Sequence, residues 1–133
     1  LKRAIRGTAA KHSLVASFMA KPFGDLPGNG MHAHVSFLDA KGANAFERTE
    51  TLDCALAGLI ATMQEGMIFF APHLNSWRRF QESSHAPTRA TWGRENRTAS
   101  LRIPADGGVD TRFEHRVAGA DANPYLVLAA IMH

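Results

Sequence analysis

Apolar side chains recur at Leu52, Leu56, Leu59, Ile60, Met63, Met67 and Phe70, the three- and four-residue spacing of one helical face, so the stripe predicts a scaffold helix from Leu52 to Phe70. Thr49 or Thr51 is the candidate N-cap, Glu50 and Asp53 lie near the positive end of the helix dipole, and Pro72 closes the element. Gly58 and Gly66 each cost about 1 kcal/mol relative to alanine in an exposed helix interior, so both read as points of close packing. Elsewhere the period changes to two. From Met31 to Leu38, His32, His34 and Ser36 fall on one face and Met31, Ala33, Val35 and Phe37 on the other. In the stretch 111–117, TRFEHRV, Arg112, Glu114 and Arg116 share a face opposite Phe113, His115 and Val117. In 97–104, RTASLRIP, Thr98, Ser100 and Arg102 oppose Ala99, Leu101 and Ile103. Ser13 to Met19 reads as a further strand.

Between these elements the chain is punctuated. Lys2, Arg3, Arg6 and Lys11 suggest the exposed tail of a helix over Leu1 to Lys11. Pro22, Gly24, Pro27, Gly28 and Gly30 make a loop that a ligand backbone could approach closely. Asp39 to Gly42 form a turn into Ala43 to Phe46. From His73 to Pro87 the pattern is a turn and a polar loop, with Arg78 and Arg79 before Gln81, Glu82, Ser83, Ser84 and His85; such loops often cover sites. Asn123 caps, and Pro124 opens, a helix running to His133. Strands and separate helices in this mixture predict an α+β fold, an antiparallel sheet with flanking helices.

Composition narrows the function. The 133 residues suggest one domain, 45% hydrophobic and 20% charged, which is ordinary globular material. Leu1 is not an initiator Met and His133 falls within an apolar helical run, so the sequence reads as a fragment, expected to associate when isolated. Lys+Arg 15 against Asp+Glu 12 gives +3, and the excess is arginine, whose planar fork matches phosphate and carboxylate. Lysine-rich runs and aromatic stacking platforms are lacking, which argues against nucleic acid. The single cysteine, Cys54, rules out an intrachain disulfide and a cysteine-based zinc motif; within an apolar helix it reads as a buried structural thiol, and a cytoplasmic protein is the default. Gln64 and Glu65 interrupt the apolar run Ala55 to Ala71, so no membrane span is expected.

Two guanidiniums flanking a carboxylate are an odd choice for an idle core, since burying unpaired charge costs several kcal/mol. They suit a pocket holding phosphates and a metal ion. The same alternation also fits a solvated edge hairpin with surface ion pairs, and His32 and His34 equally fit hydrogen-bonded histidines.

The segments NRTASLRIP, RFEHR and DANPYL, in this order, resemble the C-terminal part of the glutamine synthetase catalytic domain. GNGMHAHVSF at Gly28 to Phe37 and NSWRRF at Asn75 to Phe80 resemble two further motifs of that superfamily, so the likeness spans roughly Lys21 to Ala130. AGADANPYL, APT and WGRENRT look more like the γ-glutamyl-polyamine synthetase branch than ammonia-using enzymes.

That resemblance implies a partial catalytic domain over residues 1–133, without the N-terminal domain and both flanks, from a homo-oligomeric ligase that is inactive as this piece alone. The substrates implied are ATP, glutamate and ammonia or a primary amine, with Mg²⁺ or Mn²⁺ as cofactor. By position in the motifs, His32 and Glu114 hold the metal. His34, Ser36, Arg97, Arg102 and Arg112 serve ATP, while Gly28, Arg79, Arg97 and Arg116 serve glutamate or its γ-phosphate. Arg97 and His85 are the catalytic candidates. The chain departs from the family pattern at Pro27, in place of a glutamate-contacting asparagine, at Val109, in place of a lysine, and at His85, in place of the loop glutamate that gathers ammonium.

Overall fold

The three alternating segments each yield a short strand and Trp92–Arg94, which the pattern did not mark, adds a fourth, so that the side chains divide a charged site from a core. The computed structural model describes residues 1–82, 84–104 and 107–133; Ser83 of the polar loop lies outside them. In chain order the elements are α1 (Lys2–Lys11), β1 (Ala33–Val35), α2 (Thr49–Ala61), α3 (Met63–Phe70), α4 (Leu74–Trp77), β2 (Trp92–Arg94), β3 (Leu101–Ile103), β4 (Phe113–His115) and α5 (Pro124–Met132). The sheet order is β1-β4-β3-β2. β4 is antiparallel to both neighbours, with His34 opposite Glu114 and Arg102 opposite Glu114. This is an α+β fold.

Leu101, Ile103 and Phe113 point away from the charged row and meet Leu52, Leu56, Met63 and Phe70 from α2 and α3, with Val127 and Ile131 from α5. Each such side chain, fully buried, contributes about 1.5–3 kcal/mol relative to exposure. Asn44 fixes the approach to this layer. Its side chain accepts from the Phe46 N–H and donates to the carbonyls of Val109 and Thr111, at 2.9 and 2.7 Å. Asn123 caps α5 by accepting from the Tyr125 N–H, with Pro124 at the first turn as expected.

Several expectations change. The stripe from Leu52 to Phe70 is two helices bent by 72° at Thr62. Thr62 donates its hydroxyl to the Gly58 carbonyl at 3.0 Å, a back-bond of the kind that bends helices. Arg48, not Thr49 or Thr51, is the N-cap residue. Ser13 to Met19 forms no strand, β1 occupies only the middle of its alternating segment, and β3 only the second half of its own. β2 and β3 pair in parallel, although only Glu95 to Ser100 separates them, fewer residues than a parallel crossover usually takes. The polar loop contains α4, where the Ser76 hydroxyl accepts from the His73 N–H at 3.1 Å. Cys54 is exposed, since it lies beside the helical stripe, off the face that Leu52 and Leu56 bury. No single helix among the described residues is long and apolar enough to cross a membrane.

Candidate active site

Cross-strand register puts Gly93, Arg102, Glu114 and His34 in one row across the sheet. Glu114 is the hub. Its Oε1 accepts from His32 Nδ1 at 2.8 Å and from Arg116 at 3.1 Å, and its Oε2 accepts from Arg102 at 3.0 Å. His34 Nε2 stands 3.8 Å from the same Oε1, while its Nδ1 accepts from Arg112 Nε at 3.3 Å. Arg112 also donates to the Asp110 carbonyl. With only 5% of its side chain exposed, Glu114 would by burial alone titrate high. Arg102, Arg116 and His32 outweigh that and hold its carboxyl below the ordinary range. Burial pushes His32 down, and Arg116 reinforces this against Glu114.

The hydrogen-bond pattern therefore leaves His32 neutral with its Nε2 lone pair free, and Glu114 ionised with one of about four acceptor positions open, on Oε2. Nε2 lies on the far side of the ring from that carboxylate, so the pair that fits a corner of a divalent cation's shell is His32 Nδ1 with Glu114 Oε1, 2.8 Å apart, the ion taking the place of the proton between them. Among the described residues no group of three or more His, Cys, Asp and Glu side chains could hold a metal ion, so water and phosphate oxygens would complete it.

Beside the row lies a cleft of about 390 Å³ lined by Lys21, Gly28, Gly30, His32, Arg79, His85 and Arg116. Arg79, 3% exposed, donates to the carbonyls of Arg116 and Val117 at 2.9–3.0 Å and so pins the chain leaving β4. Burial lowers its pKa to about 10, against the pull of Asp121. Gly28 is needed on steric grounds: a Cβ there would come within 2.5 Å of the Ala20 carbonyl and 2.6 Å of Arg79 Cγ. Arg116 ties two loops to β4 by donating to the Arg97 and His85 carbonyls, at 2.6 and 3.4 Å. Nε of Arg102 and of Arg116 is buried without a partner. Lys21, Arg79 and Arg116 against Asp25 give the cleft walls a positive excess suited to an anionic ligand.

The fold thus brings His32, His34, Glu114, Arg102, Arg112 and Arg116 together, and places Gly28, Arg79 and His85 around the adjoining cleft. Arg97 contributes its carbonyl here, with an exposed side chain, and Ser36 is exposed beyond the end of β1. Pattern reasoning did not single out Lys21, Glu95 or Asp121. Lys21 is 6% exposed and donates to the Leu26 carbonyl at 2.5 Å. Asp121 accepts from the Ser76 hydroxyl at 2.5 Å. Glu95 accepts from Arg102. Only Lys21, abutting Pro22 at the head of a glycine-rich loop, carried a local signal.

Known proteins resemble this chain over nearly its whole length. The family model described as glutamine synthetase, catalytic domain, matches residues 1–133. The chain is similar to γ-glutamylputrescine synthetase PuuA of Escherichia coli (strain K12), at 48% identity over 98% of this chain and 29% of the relative. It is similar to γ-glutamylethanolamide synthetase GlnA4 of Streptomyces coelicolor at 39% identity over 98% and 29%. It also superimposes on the solved structure of apo GmaS without ligand with a TM-score of 0.86 and 39% identity, covering 98% of this chain and 31% of that one. The chain therefore spans less than a third of the length of these relatives, and it belongs to the glutamine synthetase catalytic-domain family.

Proposed function

We propose that the protein is an ATP-dependent ligase joining the γ-carboxylate of glutamate to an amine, with an organic primary amine preferred to ammonia. The observation that carries this reading is the buried Glu114, ionised among Arg102, Arg116 and His32, beside a cationic cleft. In the first step a γ-carboxylate oxygen of glutamate attacks the γ-phosphorus of ATP and ADP leaves, giving γ-glutamyl phosphate. The amine nitrogen then attacks the acyl carbon, phosphate departs and an amide forms. Charge gathers on the phosphoryl oxygens in both steps, and fixed guanidiniums stabilise it without reorganising. Arg102 and Arg112 serve the phosphates of ATP, Arg79 and Arg116 the glutamate side, and Arg97 the transferred group. A divalent ion, Mg²⁺ or Mn²⁺, would be held by His32 Nδ1 and Glu114 and would supply further neutralisation of phosphate charge when bound. No protein nucleophile is needed.

His85 lies exposed at the rim of the cleft, and its carbonyl accepts from Arg116. A neutral imidazole there accepts the proton of an attacking amine but provides no fixed negative charge to collect ammonium. A longer amine recovers binding along its carbon chain, at about 0.8 kcal/mol per buried CH₂. The names of the relatives that act on putrescine and ethanolamide chemistry support the same preference. The test is glutamate-dependent phosphate release from ATP by the full-length enzyme, with ammonium compared against putrescine, ethanolamine and simple alkylamines. Organic amines should give the higher kcat/KM, and His85→Glu should restore ammonium use. Highest kcat/KM with ammonium overturns the amine preference, and no glutamate-dependent release with any acceptor overturns the ligase.

A further inference from the structure

The charged row does not end at Arg102. On β2 the position directly opposite it is Gly93, which offers no side chain, and the next strand residue on that face lies one step past the end of β2, at Glu95. Glu95 reaches back across the gap. Its carboxylate takes Arg102 Nη2 with both oxygens, at 3.1 and 3.3 Å, while Arg102 Nη1 holds Glu114 at 3.0 Å. Arg102 is thus gripped from both sides, one guanidinium nitrogen to each carboxylate. Its Nε–H stays buried without an acceptor.

The backbone shows that this reach is specified. Glu95 sits at φ 52°, in the left-handed region that glycine, asparagine and aspartate occupy most readily and a longer side chain seldom does. Its N–H donates to the Ile103 carbonyl at 2.9 Å, holding the reversed backbone against β3. A glutamate is a poor choice for that conformation. It is a good choice for bridging from this backbone position to Arg102.

We propose that Glu95 is a positioning residue for the nucleotide: it fixes the plane of the Arg102 guanidinium so that the arginine keeps its bond to Glu114 and presents its remaining N–H groups to the phosphates. This rests on the ATP-dependent reading above. A plain surface ion pair would contribute little and would leave the kinetics alone. Glu95 acts through Arg102, so its loss should fall on ATP and spare glutamate, whose cleft is walled by Arg79 and Arg116.

Glu95→Gly separates the two roles, because glycine accepts φ 52° without strain and offsets the lost ion pair. Steady-state kinetics of the full-length enzyme should show KM for ATP rising about tenfold in Glu95→Gly, the scale of one charge-assisted hydrogen bond no longer orienting the arginine. KM for glutamate should stay within about twofold and Tm should hold. Glu95→Gln, which keeps an acceptor but not the charge, should fall between. An unchanged KM for ATP in a wild-type-stable Glu95→Gly overturns the inference alone. A lowered KM overturns it too, showing that the carboxylate competes with phosphate. A wild-type enzyme without ATP-dependent turnover overturns the ligase reading and this inference together.

Discussion

β4 and α1 are opposite cases of how this chain holds a polar segment. In 113–118, FEHRVA, every residue is buried, two of them charged. Glu114 and Arg116 bond each other and reach His32, Arg102 and two loop carbonyls. α1 is rich in basic residues and buries none of its residues; its ties are the Lys2 ammonium on the Ala122 carbonyl at 2.6 Å and cation–π contacts of Lys2 and Arg6 with Phe18. The same residue types therefore do different things. Charge at β4 is desolvated and mutually constrained, so its geometry is fixed; charge on α1, apart from the half-buried Lys2, is solvated and contributes little to order.

The hardest test of this contrast is Glu114→Ala. Removing the hub strands two guanidiniums in a buried setting, which costs about 3–5 kcal/mol, and takes away the support of His32. Mg²⁺-dependent ATP turnover of the full-length enzyme should fall by at least about 100-fold. Arg3→Ala in α1 should change neither. Unchanged Mg²⁺-dependent turnover in Glu114→Ala would remove Glu114 from the metal and phosphate assignment.

Alternation made much of this site legible, because period two forces Arg112, Glu114 and Arg116 to one side and Phe113 and His115 to the other whatever the strand's partners. What it could not give is register. That Gly93, Arg102, Glu114 and His34 share a row depends on long-range pairing. Glu95 escaped because its positive φ breaks the period that pattern reading assumes. Asp121 escaped because its partner, Ser76, is 45 residues away. The break at Thr62 was invisible in a stripe that continues through it in register. Cys54 was misplaced because an apolar neighbourhood in sequence does not say which residues lie off the buried face. Resemblance, by contrast, reached the family directly, since its motifs record the product of the fold rather than its local causes.

A smaller effect comes from the other face of β4. His115 is fully buried against Phe70, with ring centroids 4.4 Å apart and neither nitrogen hydrogen-bonded. Burial lowers its pKa to about 4, against about 6.5 in an unfolded chain. The folded pKa is the lower one, so the unfolded chain binds the extra proton in this window. Stability is complete above pH 6.5 and declines as pH falls toward 4, by about 1 kcal/mol between pH 7.5 and 5.5. Denaturant unfolding of wild type and His115→Leu at those two pH values isolates the residue, because other groups titrate in both proteins. The leucine variant should close the gap. An equal pH dependence in both would show that His115 is not the source.

Two glycines that look equivalent in sequence part company in the fold. A Cβ at Gly66 of α3 would lie 2.6 Å from Cε2 of Phe70, and Phe70 is itself buried against His115, so its ring moves only by giving up that packing. Gly66→Ala should destabilise the full-length protein by about 1–3 kcal/mol, the usual cost of overpacking. At Gly58 of α2 a Cβ would meet nothing within 4 Å, so close packing does not account for that glycine. Alanine there removes the backbone freedom of glycine in a helix interior and adds no clash, and Gly58→Ala should raise stability by up to about 1 kcal/mol. The opposite signs are the sharp part of the prediction, because propensity alone would make both substitutions stabilising. Melting curves for the two variants check it. A gain at Gly66 would mean that Phe70 yields more readily than its packing against β4 implies, and a loss at Gly58 would mean that something in the full-length protein approaches α2 on that side.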